Sequence, residues 1–321
     1  MPLSKLDEIT LAALYRAVWR VTAGQQIMVI ALSIIVAALA AVPLKFQEMI
    51  INHLTYEGDI RGLIWLCAGM IGVVLVSLTL KWALNFRLAI LGESVIRRIR
   101  QRLVITTSED VARGETPTVD SGTLVTMLSA EAESVGAFAG SAFSAPVLQA
   151  GTLLSVFAYI VVSEPWLGLI AGLVIIPQAL IVIGKQKLIN ACVRDRVTCL
   201  RHAASLVTAE HLEAERDALL ADFDEIYDHR QKIFLLKLSS KFAISLISAL
   251  GSVSILFLGG VLALNGKIDI GVVVASLSGL SRIDGPWREL LGFFRSANIV
   301  KVNYTMIVDQ LRINDTLKRT N

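Results

Sequence analysis

Long apolar blocks alternate along this chain with polar connectors of two very different lengths. The blocks run Ile27–Leu44, Leu63–Leu80, Phe138–Val162, Pro165–Gly184, Phe242–Leu264 and Ile270 to about Phe294. Each is close to the roughly 20 apolar residues that a helix needs to cross a bilayer. Lipid offers the backbone no hydrogen-bond partner, so such blocks are predicted to be helices that satisfy themselves. The ten-residue alternation of a membrane barrel is not seen. Three connectors are short: Asn52–Gly62, the Ser163-Glu164-Pro165-Trp166 turn, and Asn265-Gly266-Lys267-Ile268-Asp269. The other two, 81–137 and 185–241, are long and polar and keep helical periodicity. With six spans, all the short connectors fall on one side of the membrane and both long ones on the other.

Composition agrees with the pattern. Of 321 residues only 18% are charged, with a mean hydropathy of +0.65, where a soluble domain carries about 25% charged residues. The placement of charge says more than the net +3. Three Lys/Arg stand before the first span, seven in the first long connector, ten in the second and five after the last span. The short connectors hold only Arg61 and Lys267, and Lys45, Arg282 and Arg288 lie within spans. The positive-inside rule therefore predicts a multi-pass protein of the plasma (inner) membrane with both termini and both long connectors in the cytoplasm. Ala38-Leu39-Ala40 resembles a signal-peptide cleavage site. The long preceding region, the longer apolar run and the five further spans argue against cleavage. Upstream, Leu11, Leu14, Tyr15, Val18 and Trp19 recur at helical spacing around Arg16 and Arg20. They predict a short amphipathic helix lying on the cytoplasmic interface before the chain turns in.

The long connectors do not read as flexible linkers. Leu88, Leu91, Val95, Ile99 and Leu103 continue the second span as an amphipathic helix, with arginines between them. Gly114-Glu115-Thr116-Pro117 ends it, and Asp120-Ser121 offers an N-cap for a helix through Leu124, Val125, Leu128 and Val135 into the third span. Residues 185–241 behave similarly. An extension of about 20–25 residues reaches roughly 30–40 Å beyond the bilayer, a stalk suited to a cytoplasmic partner. The fold class is thus all-α: a polytopic membrane protein of six transmembrane helices with long cytoplasmic helical extensions. The expected divisions are an amphipathic N-terminal segment (1–23), the six-helix domain (24–310) and a cytoplasmic tail (311–321).

This topology resembles the transmembrane domain of exporter-type (type I) ABC transporters. Gly122-Thr123-Leu124-Val125-Thr126-Met127-Leu128-Ser129-Ala130-Glu131 is similar to that family's "G-e-l-v-s-R-l-t-n-D" stretch, with Met127 for the usual Arg and Glu131 for the usual Asp. Gly266-Lys267-Ile268-Asp269-Ile270-Gly271 resembles its "G-x-l-t-x-G" start of the sixth span, and Pro286 stands where the family often has proline. The resemblance implies a homo- or heterodimer in the lipid bilayer and a separate ATP-binding subunit carrying ATP and Mg. Thr116, Pro117, Asp120 and Gly122 would meet that subunit. Two departures stand out. The second connector lacks the family's "G-x-x-x-V-K-x-F-x-x-E" docking segment and has Ala203–Ala209 running into Glu210–Asp217 instead. No G-x-x-x-x-G-K-[ST] phosphate loop occurs. Leu277-Ser278-Gly279-Leu280-Ser281 echoes an ABC signature only by chance, inside the last span.

Charges at bilayer depth are costly and often functional. Lys45 and Glu48, three apart at the outer end of the first span, are expected to pair. In the sixth span Asp284 and Arg288 make an i,i+4 pair, and Arg282 and Glu289 lie about 18 and 28 Å along from Ile270. Since the resembling family lines its cavity with the sixth span, Arg282 and Asp284, with Lys45 and Glu48, are the substrate-pathway candidates. Pro146 and Pro177 are expected to kink or soften their spans. His202, His211 and His229, among Glu210, Glu213 and Asp217, read as a solvated helix face, with a metal site as the weaker alternative. The three cysteines, Cys67, Cys192 and Cys199, read as buried structural thiols. No catalytic set, no cofactor bound by the chain itself and no nucleic-acid partner are expected. The leading reading is the membrane-spanning subunit of an ABC-type exporter. The alternatives are an ion-driven transporter on the same scaffold, with Glu48 or Asp284 carrying the proton, or a degenerate non-transporting relative.

Overall fold

The computed structural model describes residues 11–56, 58–112, 121–207, 216–283 and, with gaps at 284, 291, 295, 298, 301, 302 and 306, the segment to 308. Nearly all of these are helical, and no strand occurs among them. The elements are α1 (Leu11–Leu39), α2 (Val42–Tyr56), α3 (Ile60–Ala112), α4 (Ser121–Thr126), a π-turn (Met127–Glu131), α5 (Ala132–Ser141), α6 (Ser144–Ser163), α7 (Pro165–Val207), α8 (Arg216–Leu264) and α9 (Ile270–Ser281). Five stretches are long and apolar enough to cross a membrane: Leu14–Tyr56, Ile60–Glu109, Ser144–Ser163, Pro165–Lys185 and Leu219–Leu264. The exposed Trp65, Leu75, Leu173, Leu250 and Phe257 suit a lipid environment, where no apolar side chain needs protein around it.

The short connectors are tight for local reasons. Gly266 takes φ +67° after α8, and the Gly266 and Lys267 amides donate back to the Ala263 and Leu262 carbonyls at 2.9 Å each. This left-handed C-terminal cap is open to glycine at no steric cost. Pro165 begins α7, where a missing N–H costs nothing. Asp59 caps α3 with one carboxylate, accepting the Arg61 amide at 3.2 Å and the Gly62 amide at 3.0 Å.

The described parts of the long connectors are almost entirely helix, as their periodicity predicts. α3 has 53 residues, α7 43 and α8 49, about 80, 65 and 74 Å of continuous helix at ~1.5 Å per residue. Each far exceeds a bilayer crossing. The expected tips, Gly114–Asp120 and the segment replacing the second docking helix, fall largely outside the described residues.

Several sequence expectations need correction. The amphipathic N-terminal stretch is not a separate interfacial helix but the first turns of α1, because its apolar face finds protein. Leu14 and Val18 are buried with Phe138 and Ala139, and the rings of Tyr15 and Trp19 meet Phe143 edge-on. The first span breaks at Ala40–Ala41, with Pro43 in the first turn of the following helix. Pro146 stands in the first turn of α6, not mid-span, so the kink falls before it at Ala142–Phe143. Pro177 lies inside α7, which continues through it. The sixth apolar block is not one helix. α9 has 12 residues, about 18 Å, and ends in a turn at Arg282–Ile283 before helix resumes at residue 285. The Gly285-Pro286 pair explains the restart, since proline suits a first helical turn.

The chain forms two compact units, Met1–Tyr159 with Arg282–Asn321, and Ile160–Ser281. In the first, Leu14, Val95, Leu103, Met127, Phe138, Val300 and Ile307 share one core, and the Phe138 and Phe293 rings stack 5.5 Å apart. α3 and α5 cross there with almost no side chain between them. A Cβ on Gly140 would stand 2.5 Å from the Leu88 carbonyl oxygen, and one on Gly92 would stand 3.1 Å from the Gly136 oxygen. Buried Gln26 ties α1 to this crossing, donating Nε2 to the Ala139 carbonyl at 2.9 Å. In the second unit α7 and α8 pack along each other and α9 against α8. Gln178 Nε2 donates to Ser248 Oγ at 2.8 Å, and Gly259 admits the Val273 side chain.

Because the Gly140 contact is with backbone, which cannot move aside, Gly140→Ala is expected to destabilise the protein by about 1–3 kcal/mol. Gly72→Ala, whose Cβ meets nothing within 4 Å, should show no loss of stability in detergent and at most a gain of about 1 kcal/mol from helix propensity.

Candidate functional site

Of the predicted polar residues, Lys45 and Glu48 are brought together most clearly. The helix restart at α2 sets them three apart on one face, and the Lys45 Nζ–Glu48 Oε1 distance is 2.5 Å. The partner that sequence spacing did not find is Tyr159 of α6, whose hydroxyl donates to Glu48 Oε2 at 2.6 Å. That hydroxyl has one proton, so the Leu44 carbonyl, at 3.4 Å, is a weak second contact. Glu48 is 7% exposed, whereas the Lys45 side chain is 56% exposed. The arrangement gives a buried carboxylate two charge-assisted bonds. It also leaves neither carboxylate oxygen without a partner. The only advance signal was a tyrosine within an apolar span, and nothing in the chain's spacing ties it to position 48.

At the α2–α3 turn, His53 Nε2 lies 2.8 Å from the Asp59 carbonyl oxygen. The Gly62 amide first, then the Arg61 amide and the nearby His53, hold the Asp59 carboxyl below its ordinary range. This is a capping turn and not a ligand site.

Arg282 is exposed in the turn after α9, not along a helix wall. The rise that set it about 18 Å along the span therefore holds only to Ser281. Asp284 lies outside the described residues, and its predicted pairing with Arg288 with it; Arg288 and Glu289 are exposed. Among the partner-coupling candidates, Thr116, Pro117 and Asp120 also lie outside, and Gly122 is within α4.

The stretch Gly122–Glu131 holds a feature that periodicity does not reveal. Over Met127–Glu131 the helix widens into a π-turn, with the Ala132 amide bonding back to the Met127 carbonyl. Such turns are rare and collect at functional sites. Arg100 of α3 donates Nε to the Leu128 carbonyl at 2.7 Å, fastening this turn to the long helix beside it. Met127, standing where the resembling family has arginine, is buried in the core. Glu131 Oε2 is buried without a hydrogen-bond partner, and burial raises its carboxyl above the ordinary range.

The three cysteines are neither bridged nor fully buried. Cys67, Cys192 and Cys199 are free and half-buried, so the expectation of buried thiols does not hold.

The fold and these positions define a multi-pass α-helical membrane protein with long helices running far beyond the bilayer. The family model for the ABC transporter transmembrane region matches residues 26–190, more than half of the 321 residues. The chain belongs to this family and is a membrane subunit of an ABC-type transporter. No curated protein sequence matches it.

Two predictions follow from the geometry. Tyr159→Phe should cost about 1.5–3 kcal/mol in thermal denaturation, the worth of a hydrogen bond to a charged group, while Tyr56→Phe on the exposed end of α2 serves as the neutral control. For Glu131 the raised carboxyl means that folding favours the protonated form. Its contribution is fully present below the ordinary carboxylate range and is lost as pH rises through the raised value. Glu131→Gln should therefore raise the melting temperature at pH 7 and flatten its decline between mildly acidic and neutral pH.

Proposed function

We propose that the chain is the membrane-spanning subunit of an ABC-type exporter in the plasma (inner) membrane. It works as a homo- or heterodimer and is powered by ATP and Mg on a separate nucleotide-binding subunit, with no catalytic chemistry of its own. The carrying observation is the length of α3, α7 and α8, each about twice or more what a bilayer crossing needs. With 25 of the 30 Lys/Arg placed on that side by sequence, the extensions reach into the cytoplasm, where both termini also lie. The first connector, through Thr116, Pro117, Asp120 and Gly122, meets the ATPase subunit and passes its closure to the spans, which open alternately to either side. The π-turn held by Arg100 suits this role, because a widened turn is a place where a helix shifts register at little cost.

The ion-driven alternative needs a carboxylate facing the cavity with an oxygen to spare. Glu48 has both oxygens engaged, by Lys45 and Tyr159, which favours a structural role and weakens that reading. The sparse intramembrane charge suits an amphiphilic substrate, lipid-like or drug-like.

Purification of the full chain from its own cells is expected to bring down an ATPase subunit in stoichiometric amount. Replacing Gly114–Asp120 by a Gly/Ser linker should lower the ATPase stimulation of that complex by an order of magnitude or more without reducing membrane insertion. Proton-driven uptake into vesicles with no such subunit present would sink the proposal. For the orientation, single cysteines at Arg61 and Lys267, in a background lacking the native three, should react with a membrane-impermeant maleimide from outside the cell.

A further inference from the structure

Where α7 and α8 run side by side within the polar connector 185–241, three chemically different side chains meet. Glu225 and His229 stand one turn apart on α8, with His229 Nε2 3.4 Å from Glu225 Oε1. Cys199 faces them from α7. One ligand atom from each (sulfur, carboxylate oxygen, imidazole nitrogen) lies within 4.8 Å of the other two. Asp222, one turn before Glu225, adds a second carboxylate whose charge reaches the Cys199 thiol. His229 is largely buried, its side chain 16% exposed, and its Nδ1 has no hydrogen-bond partner. The arrangement brings thiol, imidazole and carboxylate donors together between two helices.

A divalent ion would bind Cys199 as the thiolate, since a coordinated thiol gives up its proton. The donor set narrows the choice: one sulfur with one imidazole and one carboxylate suits zinc, while calcium and magnesium want oxygen alone.

We propose that Cys199, Glu225 and His229 form a binding site for a zinc-class divalent ion, its fourth position filled by Asp222 or water. The ion staples α7 to α8 close to the tip of their hairpin. Binding releases the Cys199 proton to solvent and involves no redox change. The staple stiffens the segment on either side of residues 208–215, and thereby makes the rigidity of this stalk depend on metal supply. The site does not rest on the proposed transport reading, since it needs only the α7–α8 pairing.

Cobalt is the probe. The full chain, stripped of metal in detergent, is titrated with Co2+ and its absorption followed. A thiolate-to-cobalt charge-transfer band saturating at one ion per chain, and abolished by added Zn2+, is expected. Cys199→Ser should lose the band, Cys192→Ser should keep it, and His229→Asn should weaken Co2+ binding by about 100-fold or more, since even an indirect partner of a metal ligand is worth 10–100-fold. Circular dichroism and gel filtration of each variant show that it is folded. A folded protein with no band, or a band that survives Cys199→Ser, overturns the site and leaves an ordinary solvated helix face.

Discussion

The backbone contact between α3 and α5 is the constraint on which the first unit depends. Gly92, Gly136 and Gly140 let two helices approach until one presses its carbonyls against the other. In lipid, where apolar side chains gain little by leaving their surroundings, such close approach supplies much of the packing force between helices. The same crossing exposes the Ala139 carbonyl to Gln26, so α1 is held by a buried side-chain bond. It also leaves Tyr15, Phe138, Phe143 and Phe293 to form an aromatic core at its edge. Without the glycines, α3 would stand off by a side chain, and each of these contacts would open with it.

Against that frame the chain places its departures from regular helix at a few defined points. The restart at Pro43 positions Glu48 for Tyr159. The π-turn at Met127–Glu131 accepts Arg100 through the Leu128 carbonyl, and the turn at Arg282–Ile283 divides the last apolar block. A transporter subunit needs such points, since rigid rods of 43–53 residues transmit motion only if something at their ends can yield.

The intramembrane charges divide into two kinds. Glu48 is fully engaged and reads as a clamp between α2 and α6. Arg282 stands exposed at a helix end. Spacing along the chain suggested the Lys45–Glu48 pair, because i,i+3 neighbours share a helix face whatever surrounds them. It was silent on Tyr159, 111 residues away, because only packing decides which distant helix a face meets.

The sequence by itself determined the membrane class, the helical content and the long extensions, because apolar run length and periodicity are local properties that the bilayer reads directly. The family followed from the same topology and short motifs. Tertiary structure decided where helices break, which face of the N-terminal stretch is buried, and that Cys199 meets Glu225 and His229. These depend on contacts between residues far apart in the chain. The amphipathic N-terminal stretch shows the difference: its apolar stripe foretold a buried face, but whether membrane or protein buries it is settled by Phe138 and Phe143 being there.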